Sequence, residues 1–238
     1  MGSLRNPAAF NNIIGFRPSF GRVPFGPTTE IFSQQLGYEG PMGRTVRDTA
    51  MLLSTMAGFD SRIPLSISED PLQFAGSLQA DMKGRKIAWL GDFNGYLPTE
   101  PGILEMCRRA LKHFERIGCI VESSKVDYPM EKLWQTWLTL RHWLIAGILG
   151  PLYGKIHWPK EVAGKPMDTY HRWMEITIPG TLSGCPIVSV PVGFNRLGLP
   201  MGMQIIGPAT KDLKVLQLAN AYEQESGWTK KVPPIVTG

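Results

Sequence analysis

The chain has 238 residues, 43% apolar and 19% charged, a balance that describes one globular domain with its own core and excludes a disordered or fibrous chain. Its three cysteines, Cys107, Cys119 and Cys185, are far apart and form no CxxC pair, which excludes a disulfide framework and fits a reduced, cytoplasmic setting. The net charge of +5 comes from 25 basic and 20 acidic residues spread along the chain; the densest groups, KGRK at 83–86 and KK at 230–231, lack interleaved aromatics and read as solvated faces, so no nucleic-acid partner is expected.

Residues 1–41 hold six glycines and little periodicity, and read as tight turns and extended backbone packed against something. Arg5, Asn6 and Pro7 break the first apolar run at once, so no secretion signal is expected. TVRDTAMLLSTMAG at 45–58 predicts a helix, with Thr45 as N-cap, Asp48 in the first turn and Val46, Ala50, Leu53 and Ala57 at helical spacing; Gly58 is expected to end it in the left-handed conformation. A polar connector follows over 59–84.

RKIAWLG at 85–91 predicts a strand. The segment 98–118 predicts a helix whose stripe is Ile103, Cys107, Ala110, Leu111, Phe114 and Ile117, stopped by Gly118, and CIVESS then supplies a second strand. Strand, helix, strand is the order of a parallel pair joined by a right-handed crossover. The tryptophan-rich stretch 130–150 predicts another helix and 151–171 a loop. WLIAGILGPLYG at 143–154 is too short to cross a membrane, and no membrane association is expected.

PIVSVPVGF at 186–194 is β-branched, NRLGLP is its turn, and MGMQIIG at 201–207 is its partner, so the two are expected to be adjacent and antiparallel. Pro191, which cannot donate to a ladder, should mark a strand end, a bulge or an edge, with Gly193 supporting the break. A helix from Asp212 to about 223 closes the pattern. Together the strands at 85–90, 119–123, 186–192 and 201–206 are expected to form one mixed sheet flanked by helices, an α/β fold within a single domain over 1–238.

Chemistry is sparse at the level of short motifs. His113, His142, His157 and His171 form no HExxH or equivalent, so no metal is expected and each reads as structural. No Walker A sequence, dinucleotide fingerprint or GxSxG elbow is present, and no cofactor is implied. The five tryptophans Trp134, Trp137, Trp143, Trp158 and Trp173 concentrate aromatic mass within 125–175, a candidate substrate-facing or partner-facing wall.

The opening segment GSLRNPAAFNNIIGFRPSFGRVP resembles the second half of the signature of the amidase signature family, serine hydrolases that cut carboxylic amides with a Ser-Ser-Lys triad. The match runs through Ser3, Leu4, Arg5, Pro7, Ala8 and Ala9 and continues at Gly15, Arg17, Pro18, Gly21, Arg22 and Val23. GPMGRTVRDTAMLLSTMAG at 40–58, GCPIVSVPVGFNRLGLPMGMQIIGP at 184–208 and the helix ending AYEQ at 221–224 resemble later blocks of the family in the family's order. The resemblance implies Ser3 as nucleophile, backbone N–H groups of Gly2 and Ser3 as oxyanion donors, Arg5 as a residue orienting this segment through a carboxylate or carbonyls, and a small-molecule amide as substrate.

The family's catalytic lysine and cis-peptide serine precede the position of Ser3, as does most of its glycine-rich oxyanion loop; Met1 stands where a glycine precedes Gly2, and Asn11 and Asn12 replace a small pair. The chain thus reads as the C-terminal part of an amidase domain, and little amide hydrolysis is expected of it alone. The alternative is a non-catalytic fragment or binding subunit, with self-association or a missing N-terminal partner covering apolar faces. A third reading makes one of the four histidines the base of a remodelled Ser-His site.

Overall fold

The computed structural model describes residues 2–26, 36–149 and 158–231. The chain runs α1 (Arg5–Phe10), β1 (Ile14–Arg17), β2 (Met42–Gly43), α2 (Val46–Met56), β3 (Lys86–Trp89), α3 (Ile103–Arg116), β4 (Ile120–Ser123), α4 (Met130–Leu149), β5 (Glu161–Val162), β6 (Lys165–Pro166), α5 (Ile178–Leu182), β7 (Ile187–Phe194), β8 (Pro200–Ile206) and α6 (Asp212–Ser226). This is a mixed α/β fold.

The central sheet has strand order β2-β1-β7-β8, antiparallel throughout. β7 is buried over its first five residues, as its β-branched sequence requires, and its pairing with β8 runs from Ile187↔Ile206 to Phe194↔Pro200. The ladder slips between Pro191 and Gly193. Pro191 lies beyond the stretch 187–189 that pairs with β1, so its missing N–H interrupts no ladder there, and its carbonyl instead accepts from Tyr222 Oη at 2.8 Å.

β3 and β4 are parallel, as strand, helix, strand order predicts, with α3 as the crossover. They form a separate two-stranded sheet, which corrects the expectation of one sheet holding all four strands. The reason is visible in their burial: β3 alternates exposed and half-buried residues and β4 is mostly exposed. The pair is anchored through the amphipathic face of α3 against α6 and β7, not through a ladder to the central sheet.

Local signals set several boundaries. Thr45 Oγ1 accepts from Asp48 N–H at 3.0 Å and opens α2. That helix ends earlier than expected: Ala57 is already extended, and Gly58 has φ +155°, so no left-handed glycine cap forms. α3 starts at Ile103, not 98, because Gly102 turns with φ +88° after two prolines. Gly118, at φ +93°, stops it as predicted. Of the expected loop 151–171, residues 151–157 lie outside the described residues, and β5 and β6 form a small antiparallel hairpin in the remainder.

The main core lies between one face of the sheet and α2, α3 and α6, where Phe16, Leu53, Phe114, Val188, Leu216 and Tyr222 are buried together. Phe114 stacks on Tyr222 at 4.9 Å between ring centroids. α1 packs against the sheet at β1, β7 and β8. Its close approach depends on two glycines. A Cβ on Gly15 would overlap the Leu4 carbonyl oxygen, and one on Gly202 would lie 2.7 Å from Ala9 Cβ.

Candidate active site

The turn before α1 carries the predicted nucleophile. Gly2 is buried with φ +69°, and a Cβ there would sit 2.7 Å from Asn6 Nδ2 and 3.4 Å from Met174 Sδ. Its carbonyl accepts from Asn6 N–H at 2.8 Å, which winds the chain into α1. Ser3, next in sequence, is exposed. Among the described residues no base is hydrogen-bonded to its hydroxyl.

Arg5 fixes this turn. It is 2% exposed and donates from Nη1 to the Thr177 carbonyl at 3.1 Å and to Gln204 Oε1 at 2.7 Å, and from Nη2 to Thr181 Oγ1 at 2.7 Å. Its partners are therefore a carbonyl, an amide oxygen and a hydroxyl; among the described residues no carboxylate takes part. Burial, and then the neighbouring Arg17, push its pKa down to about 9. Arg17 repeats the arrangement: Nη1 donates to the Cys185 carbonyl at 3.3 Å, Nη2 to the Thr181 carbonyl at 3.0 Å, and the guanidinium lies 3.3 Å from the Tyr38 ring centroid. Two buried cations from the opening segment thus grip the carbonyl-rich stretch 177–185, which leads into β7.

Thr177, Thr181 and Gln204 were not singled out from sequence. They lie some 170 to 200 positions from Arg5 and carry no motif of their own. The same holds for a second cluster beside the site. Glu175 is 4% exposed, accepts from Tyr96 Oη at 2.8 Å and from Arg172 Nη1 at 3.1 Å, and burial pushes its pKa up. Tyr96 Oη also reaches Glu131 Oε2 at 3.0 Å, while Arg172 lies 4.0 Å from the Trp134 ring centroid.

The histidines are dispersed. His113 on α3 is half-buried, edge-on to Tyr222 at 5.6 Å; His142 is exposed; His171 is buried and bonded to Arg141; His157, like Met1, lies outside the described residues. None of the three described histidines is hydrogen-bonded to Ser3. The tryptophans divide too. Trp134 and Trp137 are core, each 1% exposed, Trp143 is 64% exposed, and Trp173 is half-buried, stacked on Phe10 of α1 at 6.2 Å. Among the described residues no group of His, Cys, Asp and Glu is arranged to hold a metal ion, and no helix is long and apolar enough to cross a membrane.

Comparison with known proteins extends this picture. A glutamyl-tRNA(Gln) amidotransferase subunit of Streptococcus pneumoniae (strain ATCC 700669 / Spain 23F-1) is 26% identical, covering 100% of this chain and 64% of its own length. The chain therefore spans somewhat less than two thirds of that relative. The alignment runs over 316 positions against 238 residues here, so within the matched span the relative carries several dozen residues without a counterpart. Among solved structures, a bacterial aryl acylamidase of the amidase signature enzymes superposes with a TM-score of 0.79 at 26% identity, covering 96% of this chain and 61% of that one. The corresponding glutamyl-tRNA(Gln) amidotransferase chain of Thermotoga maritima shares the fold, with a TM-score of 0.67 at 23% identity over 94% and 60% of the two chains. The sequence model of the Amidase family matches residues 1–146 and 154–216, and with the order of its blocks and the architecture in agreement, the chain belongs to the Amidase family.

Proposed function

We propose that this chain carries the nucleophile-bearing and C-terminal part of an amide-hydrolysing site, with Ser3 attacking the carbonyl carbon of a small-molecule carboxylic amide. The observation that carries this reading is an exposed serine on a turn locked by a buried arginine to Thr177, Thr181 and Gln204. Backbone N–H groups of Gly2 and Ser3 would face the developing oxyanion, and Arg5 is the positioning residue that holds the turn. A serine needs a base within about 2.6–3.2 Å to become a strong nucleophile. Since none bonds to Ser3 among the described residues, turnover by this chain alone is expected to be low, and the base belongs to the part of the family fold that the chain does not span.

A fluorophosphonate label mapped by mass spectrometry on the wild type and on Ser3→Ala tests the assignment. Labelling of Ser3 that rises when the remaining third of a related amidase is supplied as a separate polypeptide supports it. Labelling elsewhere, or equal labelling of Ser3→Ala, defeats it. Stoichiometric labelling with aryl-amide turnover by the chain alone would keep the nucleophile and overturn the low-turnover expectation.

A second reading, a non-catalytic protein that binds through its uncovered faces, is favoured by one observation. β8 is an edge strand among the described residues, with Ile206 44% and nearby Ile176 40% exposed. Solution size as a function of concentration addresses it.

A further inference from the structure

Tyr96 Oη stands between two carboxyl groups, 2.8 Å from Glu175 Oε1 and 3.0 Å from Glu131 Oε2. A phenol carries one O–H proton, and heavy-atom distances do not fix which oxygen holds a proton. With both carboxyls ionised, Tyr96 donates to one of them, Glu175 for instance, and turns its lone pairs on the other. Sharing the single proton would give each anion part of a bond and leave both charges in place. With Glu175 protonated, its O–H donates to Tyr96 Oη and the Tyr96 O–H donates on to Glu131, so the same oxygen positions make two full hydrogen bonds.

The surrounding charges favour that form. Arg172 Nε and Nη2 lie 3.2 Å from Asp168 Oδ1 and Oδ2, and its Nη1 lies 3.1 Å from Glu175 Oε2 and 3.7 Å from Glu131 Oε2. Asp168, Glu131 and Glu175 thus share one guanidinium among the described residues, and all three ionised would leave a surplus of negative charge. A proton relieves that surplus best where water is scarcest. Glu175 is that place, at 4% exposure, whereas the side chains of Glu131 and Asp168 are 57% and 59% exposed. Burial pushes the Glu175 pKa up, while a 2.8 Å bond from Gln135 Nε2 holds the Glu131 carboxyl below its ordinary range.

Glu175 also belongs to the segment that holds the serine turn. Its neighbour Met174 accepts from Asn6 Nδ2 at 3.6 Å through Sδ, the atom that crowds Gly2, and the Thr177 carbonyl accepts from Arg5 Nη1 at 3.1 Å. Tyr96 and Glu131 tie the same segment to the chain before α3 and to the start of α4. We propose that Glu175 keeps its proton at pH values where ordinary glutamates are ionised, and that the bonded line from Glu175 through Tyr96 to Glu131 makes it a positioning residue for 174–177 and, through them, for the serine turn. Releasing the proton leaves two anions on one phenol, so the tie loosens as pH rises. That the turn is catalytic rests on the hydrolase reading; the proton and its coupling to Met174 do not.

The test raises the pH on the full 238-residue chain and follows the side-chain carboxyl carbon of Glu175 and the methyl group of Met174 by NMR, both assigned from the backbone. The Glu175 carboxyl is expected to titrate above about 4.3, the ordinary glutamate value, and the Met174 methyl to move with the same midpoint. A carboxyl that binds its proton more tightly folded than unfolded stabilises the chain below the ordinary glutamate range, and that contribution is lost as pH rises through the folded value. Glu175→Gln, whose amide N–H stands in for the carboxyl O–H, should therefore unfold with wild type at acidic pH, lose less stability as pH rises, and hold the Met174 methyl still. Tyr96→Phe removes two hydrogen bonds from the protonated form and one from the ionised form, so it should lower the Glu175 midpoint by about 1 pH unit, the scale of one hydrogen bond. A Glu175 midpoint at or below about 4.3, a Met174 methyl that ignores the titration, or a midpoint raised by Tyr96→Phe would each overturn the proposal; the first two are read in the wild type. Loss of Ser3 labelling with the shared midpoint intact would sink the hydrolase reading alone, and labelling with Met174 indifferent to the proton would sink only the positioning role.

Discussion

Arg22 and Asp212 form the ion pair that most directly ties the opening segment to the end of the chain. Asp212 is fully buried; its Oδ1 accepts from Ser19 N–H at 2.7 Å and its Oδ2 from Arg22 Nε at 3.2 Å and Nη2 at 3.1 Å. Arg22 Nη2 also reaches Glu69 at 2.9 Å, but that side chain is 48% exposed. Removing one partner of a buried pair strands the other charge without water, which costs about 3–5 kcal/mol, whereas an exposed partner is worth at most about 1 kcal/mol. Asp212→Ala is therefore expected to lower stability by about 3–5 kcal/mol in urea denaturation, and Glu69→Gln by less than about 1 kcal/mol. Near-equal losses in the two variants would mean that Glu69 and the Thr210 carbonyl carry Arg22 without the aspartate. Arg5 and Arg17 are a contrasting case. Among the described residues they are buried without a carboxylate partner and donate to carbonyl, amide and hydroxyl oxygens, so they act there as clamps between segments and not as ion pairs.

At the scale of elements, α2 shows how much one cap decides. Thr45 Oγ1 satisfies the Asp48 N–H, and Glu223 Oε2 of α6 satisfies the Val46 N–H at 2.8 Å, so two of the helix's orphan donors have partners. Thr45→Ala should cost about 1 kcal/mol by thermal or urea unfolding, while Thr55→Ala, in the exposed last turn of the same helix, should cost less than half of that. Indistinguishable losses would show that the cap contributes nothing beyond helix propensity. α2, α3, β7 and β8 were legible in the sequence because each is long enough to show a period, a cap or a β-branched run with a turn. α1 and β1 were not. RNPAAF is too short to display a helical stripe, and IGFR is buried at every position, so its two faces do not alternate. The division into two sheets was hidden for another reason: strand membership is fixed by long-range packing, here by where α3 docks. Of the proposed site, Ser3, Gly2 and Arg5 were singled out through the family pattern, whereas Thr177, Thr181 and Gln204 meet Arg5, and Glu175 meets Tyr96, only through contacts across the fold.

For the whole molecule, the governing fact is that a chain shorter than its relatives within the matched span keeps their fold over most of its length. β8 has a hydrogen-bonded neighbour only on the β7 side among the described residues, where Ile206 is 44% exposed and Ile176, held to Gln204, 40%. Gln204 Nε2 bonds the Ile176 carbonyl at 3.1 Å, which keeps that segment beside the edge. An unpaired strand edge bordered by apolar side chains is a template for pairing with another chain, and an antiparallel β8-to-β8 contact between two copies satisfies both edges at once. The weight-average mass in sedimentation equilibrium is therefore expected to rise with protein concentration. Ile206→Lys places a charge at the edge while leaving the buried β7–β8 face intact, and it should hold the chain at monomer mass with a midpoint of thermal unfolding close to wild type. A mass independent of concentration in the wild type would show that the edge is already protected, and association unchanged by Ile206→Lys would place the contact on another face. Adding the separate polypeptide used to enhance Ser3 labelling gives a further discrimination: if that segment covers β8, it should suppress self-association at the same stoichiometry at which labelling rises.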